Sequence, residues 1–404
     1  MKKSAQLALT VCLLLLVAAI AIPNPQQKNY KDRAEYDLIA KVYGEADPSN
    51  KLTLLDEWAE KYPETDYDVE RIRFYLDSYQ KTGRTAEAVE AAKQLLGKVP
   101  EEFTAHYVIT LSSPYLGKAD KQTLNDGIKA ANAVLALADK QFANKPEAVA
   151  QEAWDNAKQQ ALVSAHLTIG WGRMQQKDNV AAEKSFREVL SIDPSRGQVS
   201  YWLGQVVLAQ QDASKYDMAF MSFARAALYD GQNAMPAEDR KQVLEYVQKL
   251  LLGNYGQAAY DLYWPKFEAM AKAEALPSAR IELKSTEELQ YEADAKSRKE
   301  NPELWVFKDL KTRLLEPGGD AIWSDLNGKL TPKMRLYVVS ASPPERPATI
   351  NLASEPGGAT EVVLNLENRL RSGLRTGSML RIDGVASGLR KDPFRLTLID
   401  GHTF

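Results

Sequence analysis

Cysteine is almost missing from this sequence. Of 404 residues one is a cysteine, Cys12, and it lies in an apolar N-terminal stretch. The rest of the chain can form no disulfide and offers no thiol nucleophile. Histidine is nearly as scarce, with His106, His166 and His402 the three examples. None has a second histidine or cysteine at ligand spacing, so neither a metal site nor any other cofactor is expected. There is no Gly-x-Ser-x-Gly elbow. The pairs Gly318-Gly319 and Gly357-Gly358 each follow a proline, and no Gly-Lys-Ser/Thr follows to make a phosphate loop. Paired glutamates such as Glu101-Glu102 and Glu287-Glu288 sit in linkers or at helix starts, where the helix dipole accounts for them. No catalytic set emerges, and a non-enzymatic role is expected. Charge of one sign is lacking too: 51 Lys and Arg stand against 54 Asp and Glu, a net −3. That balance lacks the bulk basic footprint of a nucleic-acid-binding protein.

What is present begins with residues 1–22. Lys2 and Lys3 precede an uncharged run from Ala5 to Ile22 containing four consecutive leucines, Leu13 to Leu16, and Pro23 ends it. A basic start, an apolar middle and the small residues of Ala19-Ile20-Ala21 fit a secretory signal cleaved after Ala21. The run is also about long enough to span a bilayer as a retained anchor. Val11 before Cys12 argues against a lipoprotein site. Both readings export the remainder, placing it in the periplasm or on the periplasmic side of the cytoplasmic membrane.

From 31 to 275 apolar residues recur at helical spacing, punctuated by proline and glycine. Gly170 and Gly204 stand 34 residues apart, each near the middle of an apolar helix. Ala182, Phe186, Val189 and Pro194 follow the first; Ala219, Phe223 and Ala226 follow the second after a longer turn. Leu76, Gly83, Ala88, Ala92, Leu95 and Pro100 form an earlier unit. This pattern resembles the tetratricopeptide repeat (TPR), a helix-turn-helix unit of 34 residues. Small residues let two helices approach, a phenylalanine fills the space beside them, and proline ends the second helix. The best units are 69–102, 163–196 and 197–230; 34–63 and 103–160 read as degenerate, the latter lengthened.

Such repeats cannot bury their apolar faces alone and stack into a solenoid with a groove lined by the first helix of each unit. In this register the groove residues are Arg73 and Asp77, then Trp171 and Gln175, then Tyr201 and Gln205. The aromatic pair, Trp171 and Tyr201, either contacts a partner protein or peptide or packs on a neighbouring helix or the C-terminal domain.

Further helices are predicted over 233–252, closed by Gly253, and over 255–275, where Pro265 should kink or divide the helix. Residues 276–316 read as a linker and a short helix. From 330 to 404 the period shortens to five β-rich stretches, beginning at Met334, Thr349, Glu361, Met379 and Phe394, as in a small closed or half-closed barrel. The ending, with Gly384-Val385-Ala386 before Asp392-Pro393-Phe394-Arg395-Leu396-Thr397, resembles the closing strands of an OB-like module of exported bacterial proteins. Together with the helical repeats it resembles uncharacterised TPR proteins of acidobacterial type, a resemblance that implies no activity.

The predicted fold is therefore α+β and multidomain: a TPR-type α-solenoid followed by a small OB-like β-barrel. The expected function is a protein-binding scaffold of the cell envelope. The alternative is an anionic polymer or nucleic acid bound on the barrel by Arg369, Arg371, Arg375, Arg381, Arg390, Lys391 and Arg395. Phe394 is the lone aromatic of that stretch, so the stacking platform for single-stranded nucleic acid is missing, and export removes most nucleic acid from reach.

Overall fold

The computed structural model describes residues 28–115 and 120–404, so the signal or anchor expected at 1–22 lies outside the described residues. Two compact units result, one ending at Ser285 and the other running Thr286–Phe404.

Among the described residues, the first unit is six helical pairs in chain order: α1 (Arg33–Gly44) with α2 (Pro48–Lys61), α3 (Asp68–Lys81) with α4 (Thr85–Lys98), α5 (Phe103–Ser112) with α6 (Lys121–Gln141), α7 (Gln151–Gln175) with α8 (Asn179–Ile192), α9 (Gly197–Leu208) with α10 (Tyr216–Leu228), and α11 (Ala237–Tyr255) with α12 (Gln257–Ala273). Each helix packs on its chain neighbours, and α10 also packs on α12. This is the one-dimensional stacking of a solenoid. Aspartates Asp32, Asp47, Asp120 and Asp178 cap α1, α2, α6 and α8 by accepting from backbone N–H groups of the first turn; each cap is worth about 1 kcal/mol. Four of the described turns within helical pairs place a residue at positive φ: Gly83, Lys177, Gln211 and Gly256.

The glycine–phenylalanine fit at the heart of the repeat is realised in both central pairs. A Cβ on Gly170 would lie 2.6 Å from the Phe186 ring, and one on Gly204 2.8 Å from that of Phe223. Both rings are buried. Burying a phenylalanine side chain stabilises by roughly 1.5–3 kcal/mol, so the close approach anchors each pair.

Three sequence expectations are corrected. Gly253 does not close α11, which continues to Tyr255 and stops at Gly256, where φ is +81°. Pro265 does not divide α12. The helix runs through it because Ala259, Tyr263, Trp264, Phe267 and Ala271 bury one continuous face on both sides of the proline. The first helix of the best central unit starts at Gln151, twelve residues before 163, and the lengthened unit expected over 103–160 ends with α6 at Gln141.

In the second unit α13 (Thr286–Glu300) buries no residue, as its run of charges implies. Then come α14 (Pro302–Leu315), α15 (Gly319–Leu326) and five strands: β1 (Met334–Ser342), β2 (Thr349–Ala353), β3 (Val362–Leu366), β4 (Met379–Lys391) and β5 (Phe394–Thr403). They close in the order β1-β2-β3-β5-β4, with β3 and β5 parallel and the other pairs antiparallel. A closed five-stranded barrel of this kind is the OB-like module. Alternate residues, among them Leu336, Val338, Ile350, Leu352, Leu364, Leu396 and Leu398, fill its interior, and Leu304, Phe307 and Leu314 of α14 complete that core.

Candidate functional site

Helix α9 buries Val199, Leu203, Val206 and Val207, which leaves Tyr201, Gln205 and Leu208 on its other face. Helix α11 buries Val243, Val247 and Leu251, at four-residue spacing, and leaves Asp239, Gln242 and Tyr246 along one flank. These two are the first helices of successive pairs. Between them lies an open cleft of about 850 Å³, floored by Phe223 of α10 with Val243 and Met235.

Phe223 is flanked by both tyrosines. The ring of Tyr201 is 5.8 Å away at 60° and that of Tyr246 is 5.4 Å away at 83°. Gln205 Nε2 donates to the Tyr201 hydroxyl over 3.0 Å, leaving the phenol proton to be donated elsewhere. Burial, aided by the neighbouring Tyr201, pushes the Tyr246 phenol up from its ordinary value; like any phenol it donates at neutral pH. Tyr246 remains 45% exposed, enough for a guest to reach it. Among the described residues lining the cleft, only Asp239 carries a charge.

Of the six groove residues expected from sequence, Tyr201 and Gln205 line this cleft. Trp171 is half-buried on α7 and Gln175 is exposed one turn later; neither lines it. Arg73 and Asp77 lie on α3 and are already paired, Arg73 with Glu102 and Asp77 with Lys81, each over 2.7 Å. Gln242 and Tyr246 were missed because the repeat assignment ended at 230. The signal was an aromatic and a glutamine four apart on a first helix, which occurs in Trp171/Gln175, Tyr201/Gln205 and Gln242/Tyr246.

Three of the seven basic residues of the barrel are engaged within their own unit. Arg381 donates through Nε to Glu303 of α14 over 2.7 Å. Lys391 pairs with Asp320, and Arg390 Nε donates to the carbonyl of Pro393. Arg395 is half-buried opposite Arg390 in the β4–β5 register. Arg369, Arg371 and Arg375 are exposed on the β3–β4 connection. The Arg381–Glu303 pair joins Lys308–Glu355 and Lys311–Glu361 in holding α14 on the barrel, so part of the positive charge serves the fold.

The histidines are dispersed. His106 is buried with Nε2 2.9 Å from the Pro100 carbonyl. His166 is half-buried, and desolvation lowers its pKa. His402 is in β5, with Nδ1 2.9 Å from Asp383 and Nε2 3.1 Å from Glu367. Among the described residues, no helix is long and apolar enough to cross a membrane.

No protein-family model matches the chain, and no curated protein is significantly similar to it. Among solved structures, a thermophilic TPR protein from Thermus thermophilus overlaps 54% of this chain and 98% of its own, at 16% identity and a TM-score of 0.28. An overlap of that size carries no functional information. The repeat geometry described above stands on its own.

Proposed function

We propose that the chain is a non-catalytic scaffold protein of the cell envelope that binds a segment of a partner protein in the cleft between α9 and α11. The observation that carries this reading is the aromatic arrangement around Phe223. Tyr201 and Tyr246 stand partly exposed on either side of a buried floor, at the surface where stacked helical pairs bind. Tyrosine is enriched at binding centres because a rigid ring offers apolar area with one polar tip.

The cleft is preferred over the basic edge of the barrel because Arg381 and Lys391 are held by Glu303 and Asp320. Binding of an anionic polymer would then rest on Arg369, Arg371 and Arg375. Panning a random-peptide display library on the full chain separates the two readings. Enriched peptides that lose binding to Tyr246→Ala support the cleft. Enrichment indifferent to Tyr246, with a polyanion bound in a salt-sensitive manner and released by Arg369→Ala, Arg371→Ala and Arg375→Ala together, would favour the barrel.

Placement in the envelope rests on Lys2, Lys3 and the apolar run to Ile22. Mass spectrometry of the mature protein tests it. A first residue at Ile22 signifies a cleaved signal, an intact Met1 in the membrane fraction an anchor, and an intact Met1 in the soluble cytoplasmic fraction would overturn export.

A further inference from the structure

We propose that the cleft between α9 and α11 takes a neutral, proline-rich segment of the partner in the polyproline II conformation, an inference that rests on the cleft reading above.

The first support is charge. Among the described residues lining the cleft only Asp239 is charged. A strongly acidic or basic peptide would give up hydration there and gain no counter-charges in return. The lining matches an electroneutral guest.

The second support is the supply of donors. The hydroxyls of Tyr201 and Tyr246 and the amides of Gln205 and Gln242 stand along the two walls. A polyproline II strand has no internal hydrogen bonds, and its carbonyls point outward seeking donors. An α-helix has already used its carbonyls within itself, so a row of donors gives it little. A helical guest also needs a continuous apolar strip to receive anchors at i, i+3, i+4 and i+7, and here the glutamines interrupt it.

The third support is shape. The rings of Tyr201 and Tyr246 meet Phe223 at 60° and 83°, so each wall of the cleft presents aromatic surface. Pyrrolidine rings pack on aromatic side chains, and the preset φ of proline means that little conformational freedom is lost on binding.

Calorimetric titration of the full chain with decaproline blocked at both ends tests the inference. Saturable binding is expected. Tyr246→Ala should weaken it by at least about tenfold, as befits a central aromatic anchor. Tyr201→Phe keeps the ring and removes the donor, and should weaken binding by roughly three- to tenfold. Circular dichroism and the melting temperature establish that each variant is folded. Decaproline that fails to bind the folded chain, or binds both variants as tightly as the wild type, overturns the inference. If decaproline fails while library peptides still depend on Tyr246, the polyproline guest is wrong and the cleft reading stands. If no library peptide depends on Tyr246, both fall.

Discussion

Gly204 and Phe223 are fitted so closely that a single added carbon at position 204 would sit 2.8 Å from the ring. The same ring is the floor of the cleft, so the contact that closes this helical pair also sets the depth of the site. Gly204→Ala should therefore destabilise. Overpacking costs about 1–3 kcal/mol, which exceeds the roughly 1 kcal/mol that alanine gains over glycine within a helix. Gly253, also inside a helix, has nothing within 4 Å of its Cβ direction, so Gly253→Ala should stabilise by about 0.5–1 kcal/mol. Thermal melting of the two variants should shift in opposite directions.

Arg225 is buried and ties three segments together. Its Nη1 donates to the Ala271 carbonyl over 2.8 Å, its Nη2 reaches the Pro194 carbonyl at 3.4 Å, and its guanidinium lies 4.1 Å from the centre of the Tyr229 ring. Arg225→Met fills similar volume but leaves those carbonyls without their donor. A loss of about 1–3 kcal/mol is expected in urea unfolding, from the carbonyls left unsatisfied. Arg225→Lys should recover only part of it, since an ammonium cannot serve both carbonyls from one planar fork.

Asp217 sets an acid limit. Burial works to raise its pKa, but the Arg280 guanidinium and the Ile281 N–H outweigh it and hold the carboxyl below the usual range. A depressed folded pKa contributes stability above the unfolded value of about 3.9, and this is lost as pH falls through the folded one. Asp217→Asn should lower stability at neutral pH and flatten its decline below about pH 4, measured by melting across an acid series.

His402 acts with the opposite sign. The Asp383 carboxylate, and after it Glu367, hold its pKa above the ordinary value. A raised folded pKa contributes stability that is fully present below about pH 6.5 and is lost as pH rises through the folded pKa. Imidazole titration followed by NMR should show the raised value, and Asp383→Asn should bring it down. Melting curves at about pH 6 and pH 8.5 should diverge in the wild type and converge in His402→Gln.

The repeat was legible because its physics is local and periodic. Gly170 with Phe186 and Gly204 with Phe223 follow from spacing alone, since a small residue facing a large one at a fixed interval has few other uses. The barrel was legible for a similar reason, as short β-branched runs between turn residues leave little room for helix. Its closure was not, because the pairing of β1 with β4 and of β3 with β5 joins residues far apart in the chain. The stretch ending at Leu315 reads as a short amphipathic helix, but spacing alone does not tell that its Leu304, Phe307 and Leu314 complete the barrel core.

The sequence by itself determined the helical pairs, the small β domain and the scarcity of residues for catalysis. Each of these depends on composition and on spacing within about 40 residues. Tertiary structure decided which candidates share a surface. It joined Tyr201 and Gln205 to Gln242 and Tyr246 across one cleft, left Trp171 outside it, and engaged Arg381 and Lys391 in ion pairs. Periodicity tells which way a side chain faces on its own helix, whereas a site requires the neighbouring helix to be in place.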